Sequence, residues 1–132
     1  MTITHLGTGS RGNATLLETP SVKVLVDQGF SGTQLAKRLA RLNLEPTDID
    51  CLLISHHHGD HGGGACIAQK RWNLHVLANK RTAEELGLDP ELTSYFDALD
   101  MVRVGDDLAV LPVPVPHSGS DNVAFVASHG GE

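Results

Sequence analysis

The chain has 132 residues, 40% hydrophobic and 20% charged, a balance that fits one soluble globular domain and excludes a disordered chain. A formal net charge of −6 excludes binding through an overall basic surface, and no apolar run reaches the length of a membrane span. Cys51 and Cys66 are too few for a disulfide-stapled secreted domain, and the amino terminus lacks the basic patch and apolar core of a secretory signal, so a cytoplasmic location is expected.

Short apolar runs alternate with helical patterns throughout, an α/β (α+β) layout in a single domain over residues 1–132. Ile3 to Leu6 and Ala14 to Glu18 read as an opening hairpin around the glycine-rich turn Gly7 to Asn13. Val22 to Val26 is a third strand, apolar enough for burial on both faces, and it ends in Asp27-Gln28-Gly29. Ser31 or Thr33 caps a helix to about Leu42, with Leu35, Leu39 and Leu42 along one side. Lys37, Arg38 and Arg41 fall on that helix, and Lys70, Arg71, Lys80 and Arg81 form two further pairs; each alone reads as a solvated face. After Pro46 and Asp48, Ile49 to Ser55 forms another buried strand. Ala65 to Trp72 then reads as a helix, Leu74 to Ala78 as a strand, and Thr82 to Leu86 as a short helix stopped by Gly87. Met101 to Val104, Leu108 to Val115 and Val123 to Ala127 complete the strands. Pro112, Pro114 and Pro116 predict that the middle one is an edge strand, because proline cannot donate to a ladder.

The chemistry concentrates in Ser55-His56-His57-His58-Gly59-Asp60-His61, directly after a buried strand. In extended chain, residues two apart share a side, so His56 and His58 can offer imidazoles to one ion. Gly59 lets the chain turn back, bringing Asp60 and His61 beside them. Nitrogen-rich ligands with one carboxylate suit zinc, and also iron or manganese. A solvated histidine-rich loop is the weaker reading, since the cluster follows a buried strand and precedes the turn Gly62-Gly63-Gly64. Alone, Asp27 reads equally well as a strand-end turn former, and His117 as a loop histidine. Cys66 has no second cysteine at zinc-ribbon spacing and stays outside the site. The Ser10 to Asn13 and Gly62 to Gly64 turns can present N–H groups to an anion, but neither fits a nucleotide-binding fingerprint.

His-x-His-x-Asp-His after an apolar strand resembles the metal motif of the metallo-β-lactamase superfamily, and Asp27 after Val24-Leu25-Val26 matches that family's earlier aspartate. Gly9-Ser10-Arg11-Gly12-Asn13-Ala14-Thr15 and Val26-Asp27-Gln28-Gly29-Phe30-Ser31-Gly32 extend the likeness to the YycJ-type, exonuclease-like branch, over about the N-terminal half of its domain. The resemblance implies an αβ/βα sandwich half, a mixed sheet with helices on one face. It also implies a first metal on His56, His58 and His117, a second drawing on Asp60 and His61, and Asp27 supporting the ligands from behind. The expected cofactor is zinc, one or two ions, with manganese or iron as alternatives. The expected activity is hydrolysis by metal-activated hydroxide, the pKa of bound water falling from about 16 towards roughly 7. Asp60 would orient that hydroxide and accept its proton, and the substrate would be a phosphodiester such as DNA.

The family's second half supplies a bridging aspartate and a last metal histidine, and the chain stops before both. Ser118 stands where an aspartate is common, and neither Asp121 nor His129 sits in the context of a missing ligand. The isolated chain is therefore expected to be weakly active. A sheet face left uncovered by the missing half is expected to drive self-association or docking of a partner chain. The alternative functions are a non-catalytic metal-binding or interaction module, or a thioester or lactam hydrolase.

Overall fold

The computed structural model describes residues 1–9, 12–56, 59–115 and 123–130, with the backbone alone for 59 and 60. The opening hairpin forms as predicted: β1 (Thr2–Gly7) and β2 (Ala14–Glu18) pair antiparallel, and β3 (Lys23–Val26) returns antiparallel to β2. The next strands, β4 (Cys51–Leu53), β5 (Val76–Ala78) and β6 (Thr93–Tyr95), each lie parallel to the one before, giving a six-stranded mixed sheet in sequential order. Parallel neighbours need crossovers, and these are α1 (Gly32–Ala40), α3 (Ala65–Trp72) and α4 (Lys80–Leu86). A single helical turn, α2 (Gly59–Gly62), precedes α3. The remaining chain makes a second, antiparallel sheet of β7 (Val102–Val104), β8 (Leu108–Pro114) and β9 (Val123–His129).

Side-chain alternation along β3 sends Leu25 to one core and Val24 to another, and both are fully buried, as its apolar run requires. Leu25 packs with Leu16, Leu52 and the helix residues Leu35, Leu39, Ala65 and Ala68. Each fully buried leucine here contributes about 1.5–3 kcal/mol. Ser31 caps α1, its Oγ accepting from Gln34 N at 3.2 Å. Leu42 does not continue the predicted stripe: the helix ends at Ala40, left-handed Asn43 (φ 60°) turns the chain, and Leu42 is 37% exposed.

Two other expectations are corrected. The sheet face opposite the helices is not left bare, because Leu17, Val24, Cys51 and Leu53 pack against Leu108 and Val110 of the second sheet. The uncovered face is the outer side of that second sheet, where Leu111 pairs with exposed Val126 and Val113 with exposed Ala124. The strand β8 is central, not an edge. Its pairing with β7 stops at Val110, however, and the Pro112 carbonyl accepts from Leu99 N at 2.7 Å on that side. In an antiparallel strand a residue's N–H and C=O point the same way, so the proline's missing N–H faces a side with no ladder to donate to.

The sheets are clasped at one end by Asp107. Its Oδ1 accepts from Thr19 Oγ1 at 2.6 Å and Ser21 Oγ at 2.5 Å, and its Oδ2 lies 3.2 Å from His129 Nε2. Among the described residues no helix is long and apolar enough to cross a membrane.

Candidate metal centre

Adjacent parallel strands β3 and β4 end level with each other, Val26 opposite Leu53. The crevice beyond the carboxyl ends of parallel strands is where α/β sheets place ligands. Asp27 takes the next position after β3, in the left-handed region (φ 64°), where aspartate is among the few tolerated side chains. Its N–H still donates to Leu53 O at 2.7 Å, so the residue is fixed to β4 while its carboxylate turns into the crevice.

That buried carboxylate organises the histidines. Asp27 Oδ1 accepts from Ser55 N at 2.7 Å. Asp27 Oδ2 accepts from Ser55 Oγ at 2.6 Å and lies 2.8 Å from His61 Nδ1. Ser55 Oγ is in turn 2.5 Å from His56 Nδ1. A hydroxyl has one proton, and an ionised carboxylate only accepts. Ser55 therefore donates to Asp27 and accepts from His56, so His56 carries its proton on Nδ1. His61 Nδ1 faces the same carboxylate and carries a proton for the same reason. With the proton on Nδ1, each ring carries its lone pair on Nε2, the tautomer a metal ligand needs. The two rings sit 4.6 Å apart between centroids, tilted by 42°.

The turn that returns His61 is held by Gln28, which is fully buried. Its N–H donates to His61 O at 2.7 Å, its carbonyl accepts from Gly64 N at 2.8 Å, and its side-chain amide closes on Phe30 O at 2.7 Å. A Cβ on Gly64 would lie 2.1 Å from Phe30 O, and one on Gly62 would lie 2.9 Å from His56 O, so close backbone approach requires both glycines.

Of the predicted site residues, the structure brings together His56, His61 and Asp27, whose ligand-type atoms all lie within 4.8 Å of one another. Asp60 stands in α2, adjacent to His61, with only its backbone described. His58 and His117 lie outside the described residues. Asp27 already accepts from three donors, which fits support of the histidines better than direct ligation. The donor set suits a divalent metal: two imidazoles of the correct tautomer, each fixed by a hydrogen bond from the opposite nitrogen. Cys51 does not, since burial and nearby Asp50 push its thiol up to about 12, away from the thiolate a metal binds. Sequence reasoning missed Ser55 and Gln28. Position was the available signal, a hydroxyl before the histidine run and an amide after the aspartate.

Beside the centre a cleft of ≈ 490 Å³ opens between the two sheets. Ile3, Leu17, Val26 and Phe125 form its apolar walls, and Asp27, Ser55 and His56 close its end. Ser55 O accepts from Val123 N at 3.1 Å, so the first residue of β9 is tied to the centre.

The family model described as the metallo-beta-lactamase superfamily matches residues 7–130. The chain belongs to that superfamily. Exodeoxyribonuclease WalJ of Streptococcus pneumoniae is 40% identical over 77 residues, 58% of this chain and 29% of WalJ. Exodeoxyribonuclease YycJ of Bacillus anthracis is 28% identical over 128 residues, 94% of this chain and 48% of YycJ. A subclass B3 metallo-beta-lactamase from a soil metagenome library superposes with a TM-score of 0.76 at 25% identity, over 93% of this chain and 53% of that one. The chain thus spans about half the length of the relatives it matches along its whole extent.

Proposed function

We propose that residues 1–132 form the N-terminal αβ portion of a metallo-β-lactamase-like domain and carry most of a hydrolytic metal centre that acts on nucleic-acid phosphodiesters. The observation that carries this reading is the hydrogen-bond relay from Asp27 through Ser55 to His56, and directly to His61, which sets both imidazoles for ligation. In this reading His56, His58 and His117 hold the first metal and Asp60 and His61 contribute to a second, with zinc as the ion. Bound there, zinc supplies a Lewis acid and a water of lowered pKa. Asp27 keeps the ligand tautomers, and Asp60 receives a proton from the attacking water. The exodeoxyribonuclease names of WalJ and YycJ support the phosphodiester class.

The outer face of β8 and β9, with Leu111, Val113 and Val126, is the proposed seat of a second copy or a partner chain. In this reading the isolated chain turns over slowly. Metal content by mass spectrometry on untagged chain is expected to show zinc that His56→Ala and His61→Ala each lose. The zinc-loaded chain is expected to release nitrophenol from a bis(nitrophenyl) phosphate sooner than it opens a thioester or a lactam. Zinc bound with no release from any of the three would make the chain a metal-binding module, and preference for thioester or lactam would replace the substrate class.

A further inference from the structure

The basic stretch on α1 has no part in the candidate metal centre, yet it lines the edge of a sheet whose third strand leads into Asp27. Across the sheet His5 pairs with Thr15 and Thr15 with Val26, so His5 stands on the same rung as the residue before Asp27. Two strand spacings, roughly 10 Å, separate them. At the free edge of β1 the chain forms a depression of ≈ 120 Å³ lined by Thr4, His5, Leu6, Arg38, Arg41 and Leu42. At roughly 30 Å³ for each water, that is about the room of four water molecules, enough for one oxyanion group.

Arg38 is pre-set there. Its Nη1 donates to Leu6 O at 2.5 Å, and its guanidinium stacks on the Phe30 ring, 4.2 Å from the centroid. Its Nε is shielded from solvent and has no partner among the described residues. Arg41 lies three residues on, at the end of α1, where helical spacing puts it on the same side, and exposed Lys37 lies four residues before Arg41. Among the described residues, Arg81 with Glu85 and the histidine–carboxylate contacts His61 with Asp27 and His129 with Asp107 do not involve Lys37, Arg38 or Arg41. In a chain of net charge −6, three cations along one side of a helix with no carboxylate partner among the described residues suit an anionic counterpart.

We infer that Lys37, Arg38 and Arg41, with the depression at the edge of β1, bind the phosphate backbone of the nucleic-acid strand whose bond is cut at the metal centre. The inference rests on the nucleic-acid reading of that centre. The contact is to phosphate, so it adds affinity and positioning without sequence preference.

The test is equilibrium binding of a fluorescent single-stranded oligodeoxynucleotide, in chelator to prevent cleavage, across a salt series. Each lost phosphate contact lowers the slope of log K against log salt by about 0.7 for a single strand. Lys37→Ala with Arg41→Ala, both at exposed positions, is expected to flatten the slope by about 1.4, and Arg41→Ala alone by half as much. Lys70→Ala with Arg71→Ala is expected to leave the slope unchanged. The inference is overturned if the α1 double variant keeps the wild-type slope, if the Lys70 and Arg71 pair flattens it equally, or if the wild-type chain does not bind. Nitrophenyl phosphodiester turnover by the zinc-loaded wild-type chain is measured separately. Turnover with an unaltered slope rejects the α1 site alone, whereas the expected slopes without turnover reject the hydrolytic reading and leave the backbone contact standing.

Discussion

Replacing Asp27 by Asn keeps the shape of the side chain and reverses its hydrogen-bond logic. The Ser55 backbone N–H, 2.7 Å from Oδ1, cannot reorient, so it holds the amide oxygen at that position and the amide NH2 takes the place of Oδ2. The NH2 then donates to Ser55 Oγ, which hands its own proton to His56 Nδ1, and it also faces His61 Nδ1 as a donor. Both rings must accept at Nδ1 and carry their protons on Nε2, the nitrogen a metal requires. Loss of such an orienting partner costs about 10–100-fold in metal affinity, or about 1.4–2.8 kcal/mol. Zinc affinity measured by competition with a chromophoric chelator is expected to fall within that range in Asp27→Asn. Ring-nitrogen chemical shifts of the metal-free protein should report the proton moving from Nδ1 to Nε2 in both histidines. Unaltered zinc affinity with wild-type tautomers in a folded variant would refute the relay.

Gly64→Ala drives a methyl group into the Phe30 carbonyl and the Gln28 amide; it is expected to cost about 1–3 kcal/mol in urea unfolding, and an unchanged midpoint would contradict the packing. Hydrogen bonds from Ser21 and Thr19 hold the Asp107 carboxyl below the usual carboxylate range. A carboxyl lowered in the folded state stabilises above its unfolded value, about 3.9, and that contribution is lost as pH falls through the folded value. Asp107→Asn is thus expected to melt below the wild type at pH 6, with the gap closing below about pH 4; a gap independent of pH would contradict the clasp.

Much of this was legible because local signals and tertiary packing agree. Ser31, Gly87 and the Ala65 to Trp72 helix stand where capping and periodicity put them. The strand β6 was not legible, since Thr93–Tyr95 is three residues with two exposed. It is held by pairing with β5 and by Gln69 Nε2 on Thr93 Oγ1 at 2.9 Å, contacts a local window cannot register. Proline chemistry at Pro112 was read correctly as a missing donor, but strand order alone does not tell which side lacks a ladder. At the candidate metal centre the histidine run carried the signal for metal chemistry. Its geometry depends on Ser55 and Gln28, whose residue types carry no metal signal of their own.

Three contacts of Ser55 reach far along the chain, its N–H and hydroxyl to Asp27 and its carbonyl to Val123, while the hydroxyl also meets neighbouring His56. The centre is thus largely a product of long-range closure, its links to Asp27 and Val123 forming only once the intervening loops are closed. A peptide copied from the histidine run would contain the ligands without their orientation. Fraying of β9 from the sandwich would release the Ser55 carbonyl, so any opening of the second sheet and the ordering of the histidines are linked through a single backbone bond.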